Sequence, residues 1–254
     1  MDKGVYLAAT SIRADNLRQQ NQAHEMSNIA TIGFKKAFQI NQVTYRVDAG
    51  NALSSRFYKV AEGLGRVDMT PGARIVTQNP LDIYVEGEGV LGVFNRNGEL
   101  AFTRRGDLRI DAEGVLQNGS GFTVADDAGG EIQFDPGLIH RISTEGVIYA
   151  SDPEEEIAEE VEVGRLLLRN AEGVELEKME DGLFKVLGAD GPGDFAGADE
   201  PVQVTSHGLE GSSVKSYDVL TRMIEIERAF EMKIRVIKEL GDLSETSQSL
   251  MQVN

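Results

Sequence analysis

The chain of 254 residues carries 25 Lys and Arg against 42 Asp and Glu, a net charge of −17, and has no cysteine. The acid sits in the middle: residues 61–210 hold 31 acidic and 11 basic side chains, while residues 1–60 hold 4 and 8 and residues 211–254 hold 7 and 6. So acidic a centre lacks the clustered cations that phosphate binding or adhesion to an anionic membrane requires, and a chain without thiols has neither a disulfide framework nor a thiolate zinc site.

From the N-terminus, residues 3–31 contain no proline and only Gly4, which predicts a helix. Steps of four and three pick out Val5, Ala9, Ile12, Asn16, Gln19, Ala23, Met26 and Ala30, a seam of coiled-coil period made of small and polar residues as much as large ones. Charges at Asp2, Lys3, Arg13, Asp15 and Arg18 interrupt the first thirty residues, so no signal peptide is expected, and no stretch approaches the roughly 20 apolar residues of a membrane span. Gly33 reads as a helix stop and Phe34 as a side chain that must dock against something. Residues 37–66 lack a sustained period and read as a connection with one short strand at Val43–Val47.

The middle predicts an antiparallel β body over 67–207. Its strand candidates are residues 81–87, 90–94, 99–104, 107–111, 115–118, 122–126, 131–134 and 163–170, with hairpin turns at Asn97-Gly98, Asn118-Gly119 and Gly129-Gly130. The acidic run at 152–162 reads as a solvated loop or edge. From Ser213 a second helix is predicted, with a richer seam at Val219, Met223, Ile226, Phe230, Lys233, Ile237 and Leu240, flanked by Leu220, Ile224, Ile234 and Leu243. Neither terminal segment buries enough apolar surface alone, so the two are expected to pair as a coiled-coil-like inner domain beside a mainly β body.

No catalytic constellation emerges, and no cofactor or metal site is expected. Gly87-Glu88-Gly89-Val90-Leu91-Gly92 has the spacing of a dinucleotide loop but opens a strand where that loop must open a helix, so it reads as a hairpin corner. His24, His140 and His207 lie far apart and read as surface or interface residues, and the Asp-Gly clusters near 126, 181 and 190 read as turns. An acidic calcium- or carbohydrate-binding β module is the alternative class.

Three segments together resemble the flagellar axial proteins, especially the basal-body rod proteins. In AHEMSNIATIGFK (23–35), Asn28, Thr31, Gly33, Phe34 and Lys35 match the family's N-terminal rod motif. MTPGARIVTQNPLDIYVEGEGVLGVF (69–94) and FTRRGDLRIDAEGVLQNGSGFTV (102–124) are similar to its central patterns. In HGLEGSSVKSYDVLTRMIEIERAFEMKIRVIKEL (207–240), Leu209, Glu210, Ser212, Val214, Ile224, Arg228, Phe230 and Glu231 match its C-terminal motif, with Ser213 where asparagine is usual. The resemblance implies a structural subunit of the rod, nearest the proximal-rod members and next the distal ones, that transmits torque without catalysis. It implies export by the flagellar type III apparatus and assembly with other rod subunits and with copies of itself. The terminal helices, 1–36 and 208–254, would form the inner domain. There Asn16 and Gln19 would fix register, and the matched motif residues with Met223 and Ile226 would make the contacts. Trypsin is then expected to cut early at Arg13, Arg18, Lys35, Lys36, Arg222, Arg228 and Lys233 and to leave a fragment of about 66–207.

Overall fold

The computed structural model describes residues 2–48, 55–135, 137–152 and 160–252. The protein is mainly β, with antiparallel sheets between one helix at each end. In chain order the elements are α1 (Asp2–Ser27), β1 (Ala37–Asp48), β2 (Ser55–Val67), β3 (Arg74–Val76), β4 (Ile83–Val85), β5 (Gly89–Phe94), β6 (Leu100–Thr103), β7 (Leu108–Ile110), β8 (Leu116–Asn118) and β9 (Thr123–Val124). They continue with β10 (Ile139–Ile142), β11 (Val147–Ser151), β12 (Val161–Arg165), β13 (Leu168–Asn170), β14 (Leu176–Lys178), β15 (Phe184–Val186), β16 (Val204–Ser206), β17 (Gly208–Glu210) and α2 (Ser216–Gln252). The chain divides into two units, one of residues 1–27, 38–64 and 215–254, the other of residues 28–37 and 65–214.

The second unit is the β body. Its largest sheet runs β14-β15-β6-β5-β9-β8-β7, with β13 also on β5 and with Arg66 at the end of β2 paired to Glu177 of β14. Smaller sheets are β10-β11-β12, β16-β4 and β17-β3. β5 is covered on both faces: Leu91 and Val93 enter a core with Ile83, Leu116 and Ile148, and Val90 enters a second core with Phe102, Leu176 and Phe184. That double burial explains a continuous apolar run where a half-exposed strand would alternate. The glycines with nucleotide-loop spacing serve this packing. Gly87 takes φ +56° in the turn, and a Cβ on Gly92 would fall 2.5 Å from the Leu167 side chain.

Six of the predicted body strands are present at β4 to β9, but residues 131–134 make only isolated bridges and residues 163–170 divide between β12 and β13. The 37–66 segment, read as a connection with one short strand, holds β1 and all but the last residue of β2, the two longest strands among the described residues. The alternation Val43, Tyr45, Val47 is out of phase with Phe38 and Ile40, because Asn41 and Gln42 intervene, so only the second half reads as a strand. Residues 153–159 of the acidic run lie outside the described residues. His140 departs from the surface reading: it is buried, with its ring edge on Phe134 at 4.3 Å between centroids. Burial lowers its pKa, against the raising influence of Asp135.

In the first unit α1 and α2 touch, and Lys233 of α2 donates to Asp15 of α1, which also accepts from Arg18 at 3.1 Å. The buried side of α1 carries Ala14, Asp15, Gln22 and Glu25, whereas Asn16, Gln19, Ala23 and Met26 of the predicted seam are exposed. A period of apolar residues cannot reveal a helix that buries a polar side, and this is why the predicted seam between Asn16 and Met26 points the other way. On α2 the predicted seam is the sheltered side: Val219 is buried, Met223, Ile226, Lys233 and Ile237 are half-buried, and Phe230 is exposed. No described helix is long and apolar enough to cross a membrane.

Candidate functional site: a buried ionic junction at the chain ends

Helix α1 ends at Ser27, six residues before Gly33, so Gly33 is not its cap. The chain instead turns twice, Thr31 N donating to Asn28 O and Phe34 N to Thr31 O, while Thr31 Oγ1 donates to Asn28 Oδ1 at 3.1 Å. Gly33 closes the second turn with φ +66° and lies so close to the body that a Cβ there would sit 2.5 Å from the Arg104 carbonyl carbon and oxygen. Only glycine meets both demands without strain.

Beyond this turn, the residues before α2 lie alongside those after α1. Gly33 N donates to Glu210 O at 2.7 Å, Ser213 N to Phe34 O at 2.9 Å and Lys36 N to Ser213 Oγ at 3.1 Å. The Phe34 ring is buried, with Lys178 Nζ 3.5 Å from its centroid. That lysine also donates to the Lys35 carbonyl at 3.3 Å.

At the centre are three fully buried charges. Lys35 Nζ donates to Glu210 Oε1 at 2.7 Å, to Thr70 O at 2.8 Å and to Met69 O at 3.1 Å, using all three of its protons. Arg104 Nε donates to Glu210 Oε2 at 2.6 Å, and its remaining nitrogens reach the carbonyls of Val85, Gly87 and Gly89. Gly72 N donates to Glu210 Oε1 at 2.7 Å. The side chains of Lys35 and Arg104 are 0% exposed and that of Glu210 1%. One carboxylate thus joins the segment after α1, the segment before α2, the stretch 69–72 and the β4–β6 region of the body.

The titration of the cluster follows from its burial. Burial, the largest influence, draws the Lys35 pKa below the ordinary lysine value; Glu210 opposes this and Arg104 adds to it. For Glu210 burial is again the largest influence and by itself pushes upward. The charges and hydrogen bonds of Arg104 and Lys35 together outweigh it, so the carboxyl titrates below the ordinary glutamate range. The site has the chemistry of an ionic lock. Among the described residues no group of three or more His, Asp or Glu is placed to hold a metal ion.

Of the residues singled out in the sequence, the junction brings together Gly33, Phe34, Lys35 and Glu210. Leu209 and Val214 are buried beside it in sequence, and Ser212 Oγ accepts from Val214 N at 3.2 Å. Asn28 and Thr31 form the preceding turn. Asn16, Gln19, Met223, Ile226, Arg228, Phe230 and Glu231 belong to the other unit, where Asn16, Gln19, Arg228, Phe230 and Glu231 are exposed. Arg104 was not singled out, and Ser213 was noted only as standing where asparagine is usual and as the start of the second helix. Thr103-Arg104-Arg105-Gly106 offers two adjacent arginines, and only tertiary contacts decide which turns inward: Arg105 pairs with Asp107 at 2.7 Å nearer the surface.

The comparisons with known proteins bear on the same segments. The family described as Flagellar hook protein FlgE/F/G D1 domain matches residues 84–150, and that described as Flagellar basal body rod FlgEFG protein C-terminal matches residues 206–250. The chain is 31% identical to the flagellar basal-body rod protein FlgF of Salmonella typhimurium and 30% identical to that of Escherichia coli, with all of each chain covered. It is 26% identical to the flagellar basal-body rod protein FlgG of Caulobacter vibrioides, over 96% of this chain and 97% of that one. These relatives are structural rod proteins rather than enzymes. By its full-length similarity the chain belongs to the flagellar basal-body rod protein family, and within it is most like FlgF.

Proposed function

We propose that the chain is a structural subunit of the proximal rod, built into it through its two terminal helices. The observation that carries this reading is the surface of α2, where Leu220, Ile224, Met232, Ile234 and Val236 are each about half exposed. Apolar side chains repeated along a helix that the chain itself leaves uncovered call for a neighbouring helix. A rod is an open array, so such contacts are heterologous, one face meeting a different face on the next subunit. The exposed stripe of α1, with Asn16, Gln19, Ala23 and Met26, is the complementary face. Its two amides fix register as polar groups in a helix seam do, and replacing both with leucine should give off-register association.

In this reading the partners are other rod subunits, further copies of the chain and the flagellar type III export apparatus. The place of action is the periplasm-spanning rod of the basal body. The helices pair in the coiled-coil manner within the assembled rod. The 31% and 30% identity to the FlgF proteins of Salmonella typhimurium and Escherichia coli, each over the whole chain, favours the proximal position.

The test is complementation. Swimming should return to a strain lacking FlgF when it expresses this chain, and should not return with the Leu220→Glu/Ile224→Glu double variant. Both side chains are already half exposed, so the variant should keep the stability of the isolated chain to within about 0.5 kcal/mol per site. Rescue of a strain lacking FlgG instead would move the subunit to the distal rod. Full rescue by the double variant would remove this face of α2 as a contact.

A further inference from the structure

We propose that the three-stranded sheet β10-β11-β12 is an acid-sensitive flap on the β body, held down at one end by the neutral imidazole of His140 and freed there when that ring takes a proton.

The sheet is fastened unevenly. Among the described residues, the hydrogen bonds that tie it to the rest of the body lie at one end: Asp127 N donates to Arg165 O at 2.9 Å, Arg165 N to Asp126 Oδ1 at 2.9 Å, Val204 N to Thr144 O at 2.9 Å and Ser206 Oγ to Ile142 O at 2.7 Å. Toward the other end His140 on β10, Ala150 on β11 and Val161 on β12 lie side by side. None of these three makes a hydrogen bond to a described residue outside the sheet.

What holds the second end is packing. The His140 ring stands edge-on to Phe134, with 4.3 Å between centroids and 79° between planes, and its Nε2 is buried without a hydrogen-bond partner. Phe134 is itself anchored, since its N donates to Gly114 O at 2.8 Å. A neutral ring suits that contact as an aromatic group with one unpaired nitrogen. A cationic ring needs water or an acceptor at both nitrogens, and Nε2 has neither where it lies.

The charges on the elements packed around the ring do not supply what is missing. β11 carries no charged side chain. On β12, Glu162 stands opposite Tyr149 on the other face of the sheet, and Arg165 lies at the fastened end, 3.7 Å from Glu145. Arg141 follows His140 and so points to that other face, where it pairs with Glu160 at 2.6 Å. In the stretch that holds Phe134, Glu131 and Asp135 are both exposed. Burial, the larger influence, holds the His140 pKa below the ordinary value of 6.5, while Asp135 pulls the other way. The contribution of the neutral ring is therefore complete above 6.5 and is lost as pH falls through the lower folded value. One end of the sheet stays fixed and the other opens, which uncovers Phe134. The device belongs to the body and needs no assembly, so its failure and that of the rod reading are separable.

Hydrogen–deuterium exchange of the full chain tests it between about pH 8 and about pH 5, the window in which an imidazole changes charge, with an unstructured peptide correcting for intrinsic exchange. Protection of peptides from β10 and from the Ala150 end of β11 should fall several-fold toward acid, while β5 and β6 keep theirs. In His140→Phe, which keeps a ring against Phe134 and removes the titrating nitrogen, β10 should stay protected throughout. The same acid response in this variant as in the parent would overturn the proposal. So would loss of protection in β5 and β6 in step with β10, which would make the response global. Should His140→Phe not fold, His140→Leu takes its place with the same readings, and unchanged β10 protection across the window in the unaltered chain ends the proposal by itself.

Discussion

Replacing Glu210 with glutamine should destabilise the β body by about 3–5 kcal/mol at neutral pH, the range for removing one partner of a buried ion pair. The amide keeps the volume and one acceptor but leaves Lys35 and Arg104, both 0% exposed, facing each other's charge without a carboxylate between them. Denaturant unfolding of the wild type and the variant would measure the difference. That difference should depend on pH in a defined direction. The folded-state pKa of Glu210 lies below the ordinary value of 4.5, so the contribution of its ionised form is complete above 4.5 and is lost as pH falls through the lower folded value. The two unfolding free energies should therefore converge in acid. A constant gap down to low pH would mean that Glu210 acts by shape and not by charge.

Gly33→Ala should be the most damaging substitution of a single methyl group in the rod motif, at roughly 2–5 kcal/mol, from about 1–2 for a left-handed residue with a Cβ and about 1–3 for overpacking. The collision is with backbone, the Arg104 carbonyl at 2.5 Å and Arg105 N at 2.6 Å, which cannot swing aside as a side chain could. Gly98→Ala is the matched comparison. Its φ of +79° imposes the same conformational demand, but nothing lies within 4 Å of a Cβ placed there. Equal losses in the two variants would show that the close approach of residue 33 to the body contributes nothing.

These two positions also mark how far the sequence could be read. Gly33, Phe34, Lys35 and Glu210 were visible as motif residues, and Phe34 as an apolar side chain in need of a dock. Their meeting was not, because Lys35 and Glu210 are 175 residues apart and nothing local signals a pair over that distance. Arg104 was hidden by its neighbour Arg105, since two adjacent arginines leave the inward choice to contacts the sequence does not display. The β body was legible wherever β-branched runs met Asn-Gly or Gly-Gly turns. β1 and β2 were obscured by the Asn41-Gln42 interruption of one and by Gly63 and Gly65 in the other. On α1 the 3.5-residue period found a stripe that is exposed from Asn16 to Met26, while Asp15, Gln22 and Glu25 are buried. A polar face buried through a partner such as Lys233 has no hydrophobic signature.

Residues 33–36 and 209–213 are locked into the body at the Glu210 cluster, and in the proposed function the helices beyond them are the parts that meet neighbouring subunits. Limited trypsin digestion of the dilute protein tests it most directly. The sequence alone expected early cleavage at Lys35 and Lys36, but Lys35 is buried, Lys36 N donates to Ser213 Oγ, and Lys36 O accepts from Asp68 N at 2.8 Å. Cleavage requires local opening, and opening there would break the ionic cluster, whereas Arg222 and Arg228 are exposed on a helix whose apolar side chains remain partly uncovered. Peptide mapping over time should therefore show cuts after Arg222 and Arg228 well before any after Lys35, Lys36 or the buried Arg104. Cleavage after Lys35 and Lys36 that keeps pace with Arg222 and Arg228, while Arg104 stays intact, would contradict the account by placing the chain ends outside the body.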